Sequence, residues 1–175
     1  MNYATIKWTD IANGEGVRIS LFVSGCTHRC KNCFNEIAWD FNYGNVFDET
    51  VENQILKELS AGYITGLSLL GGEPLEPQNQ EALYPFIKKV KEKYPQKSIW
   101  CYTGFVFDEK TGELTNQAKN TAVTKDLIAL FDVLVDGPFI EAQKNIRLKF
   151  RGSENQRIID VQKTLEKGEC VLYME

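Results

Sequence analysis

The sequence predicts an α/β domain whose strands run mostly parallel. Short apolar segments that end at glycine alternate with amphipathic segments of helical period, and this alternation favours right-handed βαβ units. A closed eight-fold barrel takes about 250 residues, whereas the chain has 175. We therefore expect one domain over residues 1–175, folded as an incomplete, laterally open (β/α) barrel or as an open doubly wound sheet.

The first half of the chain contains two predicted strands and one predicted helix. Residues 18–25 are β-branched and aromatic and end at Gly25, which is typical of a buried strand that leads into a loop. Residues 48–50 can cap a helix whose apolar positions recur at helical spacing until near Gly62. Residues 64–70 form a second apolar segment that stops at a pair of glycines.

The second half continues the alternation. Residues 81–94 place lysines opposite an apolar face and are followed by Pro95, so they are predicted to form a helix. Residues 98–102 are expected to be a strand, residues 105–116 to be irregular, and residues 124–131 to form a short helix. Residues 132–135 are predicted to be a fourth strand that Gly137-Pro138 ends. Residues 138–175 show no clear pattern.

Charge and hydropathy argue against several classes of partner. The net charge is −4, from 20 basic and 24 acidic residues that are interspersed, so no basic field indicates a nucleic acid or an anionic membrane. No segment approaches the ~20 apolar residues that span a bilayer, and residues 1–10 lack the pattern of a secretion signal. We expect a cytoplasmic protein that binds neither nucleic acid nor membrane.

Three of the five cysteines are clustered, at Cys26, Cys30 and Cys33. An odd number of cysteines in a reducing compartment favours metal binding or catalysis over disulfides. A structural zinc site takes four ligands, which would require His28 as the fourth, and an electron-carrying ferredoxin uses four cysteines. Three thiolates on an iron–sulfur cluster instead leave one iron open for chemistry on a bound ligand.

The two other cysteines, Cys101 and Cys170, are expected to be small buried hydrophobic residues. Arg18 is expected either to pair with a carboxylate or a partner's chain terminus, or to lie in solvent. Three polar segments follow predicted strands: the cysteines, residues 71–74 and residues 102–104. Because the carboxyl ends of parallel strands meet at one edge of a sheet, we expect these segments to form one site.

The cysteine spacing directly after the first predicted strand resembles that of the radical S-adenosylmethionine superfamily. Gly71-Gly72-Glu73-Pro74 is similar to the glycine-glycine-glutamate-proline motif of the same superfamily. Asn32 stands where many members carry an aromatic residue. The resemblance implies the incomplete, laterally open (β/α) barrel of the radical S-adenosylmethionine type.

A narrower resemblance, to the activating proteins of anaerobic ribonucleoside-triphosphate reductases, extends over nearly the whole chain. The segments that carry it are residues 13–18, 22–26, 33–35, 100–104, 135–137 and 151–156. It implies a radical S-adenosylmethionine oxidoreductase that cleaves S-adenosylmethionine reductively. The resulting 5′-deoxyadenosyl radical takes hydrogen from a glycine of the reductase and leaves a glycyl radical there.

The resemblance also implies the cofactors and the site residues. Cys26, Cys30 and Cys33 would be the catalytic residues and the ligands of one 4Fe-4S cluster, to which S-adenosylmethionine binds. His28 would lie near the cluster without being a ligand. The residues implied in S-adenosylmethionine binding are Asn32, Cys33, Phe34, Gly71, Gly72, Glu73, Thr103 and Asp136.

The partners implied are the reductase, as protein substrate, and reduced flavodoxin or a similar electron donor. A short chain leaves little room for a dedicated small-molecule pocket, and the side opening of an incomplete barrel could admit a loop of another protein. Alternatives are another small radical S-adenosylmethionine enzyme, acting on a different glycyl-radical protein or a small molecule, and, from other classes, an iron–sulfur electron carrier or a zinc-binding module.

Overall fold

The computed structural model describes residues 1–175 as one large mixed sheet, one small hairpin and four α-helices. The strands are β1 (Asn2–Asp10), β2 (Arg18–Val23), β3 (Asn45–Val46), β4 (Gly66–Gly71), β5 (Ser98–Tyr102), β6 (Phe107–Asp108), β7 (Glu113–Leu114), β8 (Val133–Asp136), β9 (Arg157–Asp160) and β10 (Leu172–Met174). The helices are α1 (Glu49–Glu58), α2 (Pro77–Lys93), α3 (Thr124–Ile128) and α4 (Val161–Lys167).

The large sheet has the order β10-β9-β8-β5-β4-β2-β1-β3. Its four central strands, β2, β4, β5 and β8, run parallel to one another, and the flanking strands pair antiparallel. Each connection between central strands steps to the next strand in the same direction, so right-handed crossovers place their helices on one side. The edge strands β10 and β3 do not pair, so the sheet is not closed into a barrel.

The two faces of the sheet have different roles, because side chains alternate between the faces along each strand. The helical face packs against all four helices in the main core, which includes Leu21, Leu69, Cys101, Leu134 and Ile159. The opposite face, which we call the open face, has a small apolar cluster of Trp100, Val133, Val135 and Ile158. Helices on one face only are incompatible with a doubly wound sheet, so that expectation was wrong.

The predicted α/β class and the four parallel strands are confirmed. α1 begins as predicted, since Asp48 accepts a hydrogen bond from the backbone of Val51 at 3.1 Å. α2 begins at Pro77, earlier than expected, because proline is well suited to the first turn of a helix. None of the four α-helices has the length and apolar composition that a membrane crossing requires.

Several elements were not predicted. β1 was missed, and residues 105–116 contain the small β6–β7 hairpin in place of a wholly irregular segment. β9, α4 and β10 occupy the region where the sequence showed no clear pattern. The two strands are short and join the sheet antiparallel, β9 beside β8 and β10 beside β9, so they depend on these pairings more than on local sequence.

Arg18 lies neither in solvent nor against a carboxylate of this chain, so those two expectations were wrong. Its side chain is 1% exposed on the open face. The guanidinium donates to the hydroxyls of Ser68 and Ser98 at 2.8 and 2.9 Å and to the carbonyls of Leu67 and Glu15. Its role in the fold is to join the amino ends of β2, β4 and β5.

Candidate metal centre

The predicted site segments meet at the carboxyl edge of the parallel strands. The cysteine loop follows β2, the double glycine ends β4, Thr103 follows β5, and Asp136 ends β8. These four strands are neighbours in the sheet, so the loops after them lie side by side. The expectation that the loops after the parallel strands converge on one edge is confirmed.

The cysteine loop is held at its base and is irregular beyond it. The backbone nitrogens of Gly25 and Cys26 donate to the carbonyls of Ala38 and Trp39, at 2.7 and 3.2 Å. Further along, the backbone nitrogen of Cys33 donates to the carbonyl of Cys30 at 3.2 Å. This hydrogen bond closes a turn between the second and third cysteines of the loop.

All three thiols are free and partly buried. Burial raises the pKa of Cys26 to about 12, and it also raises the pKa of Cys30. The backbone nitrogen of Asn35 donates to the sulfur of Cys33 at 3.4 Å. No group of three or more His, Cys, Asp or Glu side chains stands in a geometry ready to hold a metal ion.

The donor set fits an iron–sulfur cluster better than a zinc ion. Three free thiols on one loop are the ligands that such clusters take, and backbone N–H groups directed at cysteine sulfur stabilise the ligated thiolate. A fourth ligand for zinc is not presented, because His28 is engaged by Glu73 at 2.8 Å. Binding of a cluster requires the loop to bring its three sulfurs together.

The double glycine after β4 positions the cysteine loop directly. Gly71 has a φ of +111°, which side chains disfavour, and a Cβ on Gly72 would lie 2.6 Å from the carbonyl oxygen of Gly25. The backbone nitrogens of Gly72 and Glu73 each donate at 2.8 Å, to Val23 and Gly25. Absence of both Cβ atoms lets the two loops make this close contact.

Glu73 connects three loops through one buried carboxylate, which is 1% exposed. Oε1 accepts from the hydroxyl of Thr103 at 2.7 Å and from the backbone of Leu75 at 2.9 Å. Oε2 accepts from the backbone of Gly104 at 2.7 Å and pairs with His28 at 2.8 Å. Burial alone would lower the pKa of His28, but the hydrogen bond and the attraction to Glu73 raise it above its ordinary value.

A second glutamate, Glu76, also holds the cysteine loop and was not among the predicted site residues. Its carboxylate accepts from the backbone and the hydroxyl of Thr27 and pairs with Lys119 at 3.0 Å. These interactions lower the pKa of Glu76 although burial opposes the shift. No motif marks this residue; only its position just before Pro77, at the start of α2, could have indicated it.

The remaining predicted site residues are less closely grouped. Asn32 is exposed with a φ of +59°, and Phe34 is 90% exposed, so both lie on the outer side of the cysteine loop. Asp136 is buried and pairs with Arg157, which belongs to β9. Of the two other cysteines, Cys101 is buried in the core as expected, and Cys170 is partly buried.

Comparison with known proteins supports an iron–sulfur cluster and shows the family of the chain. The family model for the 4Fe-4S single cluster domain matches residues 12–159, which supports one iron–sulfur cluster. An anaerobic ribonucleoside-triphosphate reductase-activating protein from Haemophilus influenzae is 45% identical over 90% of this chain and 97% of its own length.

Two further proteins of the same name are also similar over nearly their whole length. The protein from Escherichia coli K12 is 39% identical, over 89% of this chain and 96% of its own length. The protein from bacteriophage T4 is 36% identical, over 90% of this chain and 93% of its own length. The chain therefore belongs to the family of anaerobic ribonucleoside-triphosphate reductase-activating proteins, with a 4Fe-4S single cluster domain.

Proposed function

We propose that this chain activates an anaerobic ribonucleoside-triphosphate reductase by reductive cleavage of S-adenosylmethionine. Cys26, Cys30 and Cys33 would hold a 4Fe-4S cluster. The observation that carries the proposal is that one loop contains three free thiols and that the Gly71-Gly72-Glu73 turn hydrogen-bonds to the start of this loop. The chain also belongs to this family. Three ligands leave one iron for the substrate, unlike the four of an electron carrier.

The chemistry itself belongs to the cofactors. When bound, cluster and S-adenosylmethionine supply a one-electron cleavage that yields methionine and a 5′-deoxyadenosyl radical, which takes hydrogen from a glycine of the reductase. The chain's own residues bind and orient these groups. Gly71 and Gly72 keep the edge of the site free of side chains, and Phe34 offers an exposed aromatic ring beside Cys33.

Glu73 would bind the methionine ammonium group. All of its hydrogen-bonding positions are occupied in the structure, so one present partner must yield. His28 is the only ionisable side chain among these partners, and an ammonium group would take its place at Oε2 without leaving the carboxylate unpaired. Thr103 then remains bonded to Glu73 and keeps it oriented, while Asp136 and Asn32 are further contacts for S-adenosylmethionine.

The fold supports the proposal, because an incomplete (β/α) barrel of the radical S-adenosylmethionine type also has its helices on one side of a parallel sheet. The open face would then be the interior that admits a loop of the protein substrate. Reduced flavodoxin or a similar protein would supply the electron, and the reaction would take place in the cytoplasm.

The test is anaerobic reconstitution with iron and sulfide, followed by dithionite and S-adenosylmethionine, with and without the reductase. We expect iron and sulfide in cluster proportions, 5′-deoxyadenosine, and a glycyl-radical signal on the reductase by electron paramagnetic resonance. Cys30→Ser removes all three, whereas Cys170→Ser, at a cysteine outside the loop, retains them.

Other outcomes would identify a different function. A well-formed cluster that cleaves no S-adenosylmethionine would indicate an electron carrier. Cleavage without a radical on the reductase would indicate a different substrate. A colourless protein that binds zinc and no iron would indicate a zinc-binding module.

A further inference from the structure

The connection between β8 and β9, residues 137–156, is a long ordered loop, which we call the strap. Its base is fixed by hydrogen bonds from the side chains of its own last residues. Gln156 accepts from the backbone of Gly152 at 2.8 Å and donates to the carbonyl of Gly137 at 3.1 Å. Asn155 donates to the carbonyl of Pro138 at 2.7 Å. A loop fixed at both ends in this way presents its outer surface in a defined position.

The strap lies between the cysteine loop and the open face of the sheet. Near its start, the backbone of Phe139 lies close enough to Cys30 to lower the pKa of its thiol. Near its end, the ring of Phe150 packs on Trp100, with centroids 5.3 Å apart. The strap is thus anchored beside the proposed cluster and over the surface that would receive a substrate loop.

The outer surface of the strap combines positive charge with an exposed apolar side chain. Ile146 is 92% exposed, and Lys144, Arg147 and Lys149 around it are exposed as well. The chain as a whole has a net charge of −4, so this basic group runs against the overall balance. The strap also carries two acidic residues, Glu141 and Glu154, but its four basic residues outnumber them. An apolar contact at Ile146 would therefore form in a net positive field, which favours an acidic partner.

We propose that the strap is the docking surface for the protein substrate and that it binds an acidic segment with an apolar residue that covers Ile146. The inference rests on the proposed function. The strap is anchored on the open face through Phe150, and under the proposed function the glycine of the reductase enters at this face. The protein substrate is therefore a better candidate for the strap than the electron donor. Positive charge on the strap accelerates the encounter, and Ile146 slows dissociation once water is excluded.

The experiment uses the full chain with three charges reversed, Lys144→Glu, Arg147→Glu and Lys149→Glu, and separately Ile146→Ser. The control reverses Lys57, Lys88 and Lys93, which are exposed on α1 and α2 and bring the same change in net charge. We expect the strap variants to weaken binding to the reductase more than about tenfold in anaerobic biolayer interferometry. The helix control should bind like the unmodified chain.

Two further readouts complete the test. The strap variants should cleave S-adenosylmethionine with dithionite alone as the unmodified chain does, because the strap charges do not touch the cluster loop. Binding by the unmodified chain should weaken as salt rises from about 50 to about 500 mM, and the charge-reversed strap should show less of this dependence.

Equal weakening by the helix control, or unchanged binding by both strap variants, would overturn the proposal. So would a defect seen only with a protein electron donor and absent with dithionite, because the strap would then dock the donor. Binding is measured without turnover, so a failure of the proposed function, in which the unmodified chain cleaves nothing, is distinguished from a failure of the docking surface.

Discussion

Nε2 of His28 lies 2.8 Å from Oε2 of Glu73, so a hydrogen bond joins the cysteine loop to the turn after β4. The pair is buried on the carboxylate side and partly exposed on the imidazole side. Because the same carboxylate also accepts from Thr103 and Gly104, it determines how three loops are spaced at the edge of the sheet.

Glu73→Gln should destabilise the apoprotein by about 2–4 kcal/mol, because an amide nitrogen cannot accept and leaves buried donors unpaired. Urea unfolding monitored by circular dichroism gives the value. Glu166→Gln, at an exposed position on α4, is the matched control and should change the free energy of unfolding by less than about 0.5 kcal/mol. Equal effects of the two substitutions would contradict the role of Glu73 as a buried connector.

Gly72→Ala should impair cluster assembly, because the added Cβ would meet the carbonyl oxygen of Gly25 at 2.6 Å and displace the cysteine loop. The iron bound per chain after anaerobic reconstitution measures this. Gly62→Ala is the control, since nothing lies within 4 Å of a Cβ built there. Full iron content in the Gly72 variant would show that the loop assembles independently of the double glycine.

Arg18→Lys should destabilise the protein by about 2–4 kcal/mol although the charge is retained. A single ammonium group cannot replace the guanidinium donors that reach Ser68, Ser98 and the carbonyl of Leu67. Thermal and urea unfolding of the apoprotein test the prediction, with Arg147→Lys on the exposed strap as the conservative control. A stability loss no greater than that of the control would be inconsistent with a buried hydrogen-bonding role.

Asp10 should make the stability depend on pH in acid. Burial would raise its pKa, but hydrogen bonds from Ser20, Asn13 and the backbone of Ala12 lower it below the ordinary value of 3.8. A lowered folded-state pKa contributes stability above the unfolded value, and this contribution is lost as the pH falls through the folded one.

Asp10→Asn should therefore cost about 1–2 kcal/mol at neutral pH, and the cost should shrink as the pH falls below about 3.8. Urea unfolding of both apoproteins over this pH range gives the difference directly. A difference that stays constant with pH would mean that the carboxylate charge does not contribute to folding.

Cluster assembly should order the cysteine loop, since the three thiols are not in metal-binding geometry before it. Hydrogen exchange measured by mass spectrometry should slow in residues 26–35 after reconstitution and return to the apoprotein rate when a chelator removes the iron. Residues 83–90 of α2, whose buried side chains belong to the main core, serve as the internal reference. Unchanged exchange in the loop would indicate that it is already fixed without iron.

Much of the architecture follows from the sequence because it depends on local, periodic features. The strand at residues 98–102 was predicted with the observed limits, and Asp48 marked the start of α1. The arrangement of the cysteines, the double glycine and Thr103 at one edge followed from their positions after successive strands. Short antiparallel strands such as β10 carry no such periodicity, and the sequence did not reveal them.

The sequence by itself determined the α/β class, the three-thiol loop and the family. The period of the apolar residues indicates strands and helices, and the spacing of the cysteines indicates how many ligands one loop can supply. The tertiary structure decided which polar groups meet. The buried Arg18 side chain connects three strands, and the carboxylate of Glu73 hydrogen-bonds to His28. Glu76 is a second anchor of the cysteine loop. Such pairings join residues 45 to 50 positions apart in the chain, and their strength depends on burial, which exists only once the sheet has formed.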